Sequence, residues 1–135
     1  MQIEVRSKVP GTADSTLPAV LIELAQETTT LRELIRRAVL EQINVTKADP
    51  ARSRAMLDRQ YLTPEDVRAQ AGTGTVRVTA PIDEVQEVER AMRAFERRAF
   101  AVFCGGQQVE TLDEAVTLRL GEPVVFLRLV PLVGG

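Results

Sequence analysis

The chain has 135 residues, and 17 Lys and Arg against 19 Asp and Glu leave a formal net charge of -2, a balance that sets up no field to gather nucleic acid or anionic membrane. Histidine is absent and Cys104 is the one cysteine, which excludes Ser-His and Cys-His nucleophiles, His-containing zinc patterns, a Cys-x-x-Cys pair and an internal disulfide. No apolar run approaches the ~20 residues of a membrane helix and no cationic, apolar-cored leader opens the sequence, so the expectation is one soluble cytoplasmic domain.

Met1-Gln2-Ile3-Glu4-Val5-Arg6 alternates apolar and polar residues and predicts a strand with Met1, Ile3 and Val5 inward. Pro10-Gly11 and the small polar residues to Thr16 predict a loop, and Leu17 to Leu24 a second strand with Val20, Ile22 and Leu24 inward. Thr30-Leu31-Arg32-Glu33 has the spacing of a capping box, in which the Thr30 hydroxyl and the Glu33 carboxylate each take a free backbone N–H. Leu31, Leu34, Ile35, Ala38, Val39 and Ile43 then form the apolar stripe of a helix ending near Asn44.

Residues 46 to 99 read as a mainly helical insertion: a helix near Pro50 to Gln60, another opened by Thr63-Pro64-Glu65-Asp66, a Gly72-Thr73-Gly74 loop and a short strand around Val76 and Val78. That loop lacks the Gly-Lys-Ser/Thr of a phosphate loop. Ile82, Val85, Val88 or Glu89, Met92 and Phe95 mark a longer helix to about Arg98. Its Glu84, Glu87, Glu89, Arg90, Arg93, Arg97 and Arg98 are expected to form a solvated face, as are Arg36 and Arg37 on the first helix.

Phe100 to Cys104 returns to strand, Gly105-Gly106 supplies a tight turn, and Gln107-Gln108-Val109 leaves it, with Cys104 read as core filling. Thr111-Leu112-Asp113-Glu114 repeats the capping-box spacing and predicts one helical turn. The final strand spans Val124 to Val130. An unpaired buried guanidinium is expensive, so Val125, Leu127 and Leu129 are assigned to the core and Val124, Phe126, Arg128 and Val130 to the outer face. That outer face either docks a partner or is covered by the helices of the insertion.

The order strand, strand, helix, insertion, strand, short strand, short helix, strand, followed by Pro131-Leu132-Val133-Gly134-Gly135, resembles the ubiquitin-like superfamily and its bacterial sulfur carriers ThiS and MoaD. The resemblance covers about 1 to 45 and 100 to 135. It rests most on Thr30-Leu31-Arg32-Glu33-Leu34, on Phe103-Cys104-Gly105-Gly106-Gln107, and on Val125 to Gly135 with its closing diglycine. The insertion at 46 to 99 has no counterpart in the compact carriers. It points instead toward the ubiquitin-like proteins of bacterial operons that encode activating, conjugating and deconjugating enzymes, some of which serve defence against phage.

The resemblance implies an α+β fold of the β-grasp type, a mixed sheet packed by one main helix, carrying a flexible tail at 131 to 135. It implies a substrate of other enzymes, with no catalytic residue, cofactor or metal of its own. Gly134 and Gly135 carry the chemistry: the terminal carboxylate attacks the α-phosphate of ATP inside an activating enzyme, and glycines let the backbone thread a narrow channel. Enzymes of the family dock beside the tail, which makes Val124, Phe126, Arg128, Val130, Pro131, Leu132 and Val133 the expected partner-binding residues. Three functions stay open: conjugation to a target protein as an isopeptide, sulfur transfer through a terminal thiocarboxylate, and a non-covalent interaction module that self-associates through the insertion.

Overall fold

The computed structural model describes residues 1 to 9, 19 to 63, 66 and 82 to 129. Its architecture is α+β, with seven strands among the described residues: β1 Gln2–Lys8, β2 Val20–Glu23, β3 Thr28–Thr30, β4 Phe100–Cys104, β5 Gln107–Val109, β6 Ala115–Thr117 and β7 Val124–Arg128. Three helices accompany them among the described residues: α1 Leu31–Thr46, α2 Pro50–Tyr61 and α3 Glu84–Glu96. The main sheet has the order β2-β1-β7-β4-β5, and β3 pairs with β6 in a separate two-stranded ribbon.

Alternation in the first two strands works as the sequence predicts. Ile3, Val5, Val20 and Ile22 are buried while Arg6, Lys8 and Leu21 face outward, and Gln2 to Val5 pair antiparallel with Glu23 to Val20. In β4 and β5, Gly105 and Gly106 turn the chain at φ 58° and 81°, angles that carry no penalty for a residue lacking Cβ. β7 then inserts between β1 and β4, parallel to the first and antiparallel to the second.

Helix α1 begins where the Thr30 hydroxyl accepts from the Glu33 N–H at 3.2 Å. The second half of the expected box is replaced: the Glu33 carboxylate takes the guanidiniums of Arg36 and Arg37. The next two free N–H groups, of Leu31 and Arg32, donate to the carbonyls of Glu114 and Leu112, at 3.2 and 2.7 Å. Residues 111 to 114 therefore form a hydrogen-bonded turn serving the start of α1, and not a helical turn of their own. All six predicted stripe residues of α1 are buried, and the five larger than Ala38 contribute about 1.5–3 kcal/mol each.

The insertion packs on the same side. Asp49 caps α2 through the Arg52 N–H, with Pro50 in the first turn where its missing N–H is harmless. Thr63 and Asp66 exchange side-chain to backbone bonds at 3.1 and 3.2 Å, in keeping with the predicted helix start; the rest of that helix, the Gly72-Thr73-Gly74 loop and the strand near Val76 lie outside the described residues. Leu57 and Tyr61 of α2 and Ala91, Ala94 and Phe95 of α3 join the same hydrophobic cluster as α1 and the sheet. Phe100 is its aromatic centre, with ring centroids 5.2 Å from Tyr61, 5.8 Å from Phe95 and 5.4 Å from Phe126. None of the described helices is long and apolar enough to cross a membrane.

Two expectations about faces fail. In β7, Val124, Phe126 and Arg128 are buried, while Val125 and Leu127 lie half-buried on the opposite side and Leu129 is 50% exposed. A strand has only two parities, and the Phe126 ring on Phe100, together with an internal acceptor for Arg128, selects the one with the arginine inside. In α3, Glu87 and Arg90 are buried, whereas Val85, expected inward, is 67% exposed. The helix presents two opposite charges to its neighbours because α2 supplies their counterparts, Arg54 and Asp58.

Candidate functional site

The root of the C-terminal tail is the part of the predicted site that the structure describes. β7 ends at Arg128, and the Leu129 N–H donates to the Ala99 carbonyl at 2.8 Å, fastening the chain where the sheet stops. Ala99 is itself held: its N–H reaches the Ala94 carbonyl at 2.8 Å and the Arg98 N–H the Phe95 carbonyl at 3.0 Å, a Schellman closure of α3. Arg98 occupies the left-handed position of that closure at φ 61°, where glycine is the usual choice. Gly134, Gly135, Val130, Pro131, Leu132 and Val133 lie outside the described residues.

The partner-binding assignment of Val124, Phe126 and Arg128 is corrected by burial. The first two face the helices and are fully buried, and Arg128 is only 2% exposed. The outward side of the sheet carries Phe103, Val125 and Leu127, partly exposed, in register with Gln108, Arg6 and Lys8. This apolar strip with basic neighbours runs toward the exposed Leu129. An alternating strand always offers two faces, and the sequence signal that could have chosen correctly is the aromatic residue, since Phe126 is the largest side chain of β7.

Beside the tail root lies a cavity of about 470 Å³, lined among others by Arg32, Phe95, Arg98, Gln108, Asp113 and Leu129. Arg32 and Asp113 cross its rim as an ion pair at 3.1 Å, and the guanidinium holds the Asp113 carboxyl below its ordinary range. Both side chains are well exposed, so the pair orients the rim more than it stabilises the fold.

Under the helical side is a buried charged cluster that includes Glu87 and Arg90, two residues that the sequence alone places on a solvated face. Glu87 accepts from Arg54 at 2.5 Å and from Arg90 at 2.7 Å, and Arg90 also donates to Asp58 at 2.6 Å. Arg128 approaches from β7 and donates to the carbonyl of Leu62, the C-cap of α2, where the helix dipole favours a cation. Burial, reinforced by the Arg90 charge and opposed by Asp58, lowers the Arg128 pKa from the usual arginine value.

Cys104 is half-buried against the core, and desolvation, followed by the charge of Glu114, pushes its thiol up to about 11. A thiol of that acidity is almost wholly protonated near neutrality and is a poor nucleophile. Among the described residues no group of three or more acidic or cysteine side chains could hold a metal ion. In comparisons with known proteins, no family model, no curated protein and no solved structure matches this chain.

Proposed function

We propose that this chain is a ubiquitin-like modifier on a β-grasp core, acting as the substrate of a conjugation pathway in the cytoplasm. The Gly135 carboxylate attacks the α-phosphorus of ATP inside an activating enzyme, expelling pyrophosphate and forming an acyl-adenylate. A cysteine thiolate displaces AMP to give a thioester, and a target amine displaces the thiol to give an isopeptide. The observation that carries the reading is the position of β7. The last described strand lies mid-sheet, parallel to the first, and its bonded exit at Leu129 is followed in sequence by Val130-Pro131-Leu132-Val133-Gly134-Gly135. A diglycine end needs such a rigid base if an enzyme is to bind the body and thread the end.

The docking surface for the activating and conjugating enzymes is, in this reading, the outward strip of Phe103, Val125 and Leu127 with Leu129, in place of the buried face. Its partly exposed apolar centre with a charged margin has the make-up of a protein-binding patch.

The test is mass analysis, intact and after denaturing gels, of the tagged protein recovered from its native cells, beside a version lacking Gly134 and Gly135. Stable adducts that need the two glycines are the expected result. A tail-dependent replacement of one oxygen by sulfur would convert the reading to a sulfur carrier. Identical behaviour of the two versions would leave a non-covalent interaction module.

A further inference from the structure

We propose that the helical insertion clamps and aims the C-terminal tail, with Arg128 as the positioning residue through which it acts. The aiming half of this inference rests on the modifier reading; the clamp does not. Arg128 is the last residue of the last strand, and its guanidinium is turned away from solvent onto the Leu62 carbonyl. Gln60, two residues before Leu62 at the end of α2, reaches the Phe126 carbonyl at 3.5 Å, so the end of α2 grips β7 at two alternate residues. Behind Leu62 stand Asp58 and Arg90, and behind them Glu87 and Arg54, all of them members of the insertion.

Stability alone gives no reason for this arrangement. A buried ion cluster is commonly matched or bettered by apolar side chains of the same volume, and the Nε atoms of Arg54 and Arg90 find no hydrogen-bond acceptor. What a fixed set of directional bonds supplies is one orientation. With Arg128 locked inward, strand parity forces Leu129 outward, and its N–H then meets Ala99 at the end of α3. The chain leaving the sheet is thus held by α2 on one side and by the close of α3 on the other. Both helices belong to the segment that the compact carriers lack.

The experiment pairs two readouts on the full chain. Hydrogen exchange measures protection of the Leu129 amide relative to amides in the middle of β7. The rate of tail-dependent adduct formation in a cytoplasmic extract of the source cells with ATP, followed against modifier concentration, separates maximal rate from half-saturation. Arg128→Met is expected to lower Leu129 protection about tenfold and to lower the maximal rate by a similar factor with half-saturation unchanged. Arg128→Lys should recover part of both. Glu87→Gln, which alters only the insertion, should move both readouts in the same direction and keeps the test alive if Arg128→Met does not fold. Ile35→Val supplies a core variant of reduced stability that should move neither selectively. Unchanged Leu129 protection in both Arg128→Met and Glu87→Gln would overturn the clamp, and lost protection with an unchanged maximal rate would overturn the aiming role. If wild-type protein forms no tail-dependent product, the modifier reading fails and the Leu129 amide alone decides the clamp.

Discussion

Tyr61 donates its hydroxyl proton to Gln42 Oε1 at 2.7 Å, joining α2 to α1 through two fully buried side chains. Gln42 extends the link to β1, its Nε2 lying 3.4 Å from Ser7 Oγ. Three elements that are distant in sequence are thereby held by one polar chain, in a low-dielectric setting where each missing partner is costly. Tyr61→Phe keeps the ring packing on Phe100 and leaves Gln42 Oε1 without its donor. The expected loss is about 1–3 kcal/mol by urea unfolding, with an unchanged m-value.

Glu87 sits between two arginines with almost no solvent. Removing it alone, as Glu87→Ala, leaves Arg54 and Arg90 buried without their shared acceptor and should cost about 3–5 kcal/mol. Replacing Arg54, Glu87 and Arg90 together by Met and Leu should leave stability near wild type or above it. A triple variant as unstable as Glu87→Ala would show that the cluster's bonds outweigh its desolvation.

Arg98 at φ 61° carries a side chain where the backbone favours none. Arg98→Gly should stabilise the protein by about 1 kcal/mol, read as a higher thermal midpoint, because the left-handed angle then costs nothing. A lower midpoint would mean that the Arg98 side chain contributes more at the cavity rim than its strain removes.

Acid should weaken the start of α1. The Glu33 pKa is lowered from its usual 4.5, first by its hydrogen bond to Arg36 and also by Arg37, against an opposing desolvation. A carboxyl whose folded pKa is depressed adds stability that is complete above the unfolded value and fades as pH falls through the folded one. Thermal midpoints should therefore drop on acidification below about pH 4.5, and Glu33→Gln should flatten that slope. Equal slopes in the two proteins would count against the Arg36 and Arg37 pairs.

Much of the architecture was legible locally. The period of two in residues 1 to 6, the Thr30 cap, the stripe from Leu31 to Ile43 and the Gly105-Gly106 turn all depend on near neighbours, and the structure reproduces them. The errors occur where two segments distant in sequence meet. Glu87 and Arg90 look like solvent-facing charges on their own helix, and only α2 reveals their partners. The capping box at Thr30 keeps only its first half because the Glu33 carboxylate is taken by Arg36 and Arg37, while the Arg32 N–H is served by the distant carbonyl of Leu112.

Local residue order was enough to show which residues can alternate, which form a stripe, that no histidine is present, and that a diglycine follows the segment of β7. Which face of β7 lies inside was set by contacts between distant segments. Alternation gives two equivalent parities, and the energy separating them comes from Phe100 on β4 and the Leu62 carbonyl on α2, groups far from β7 in the chain.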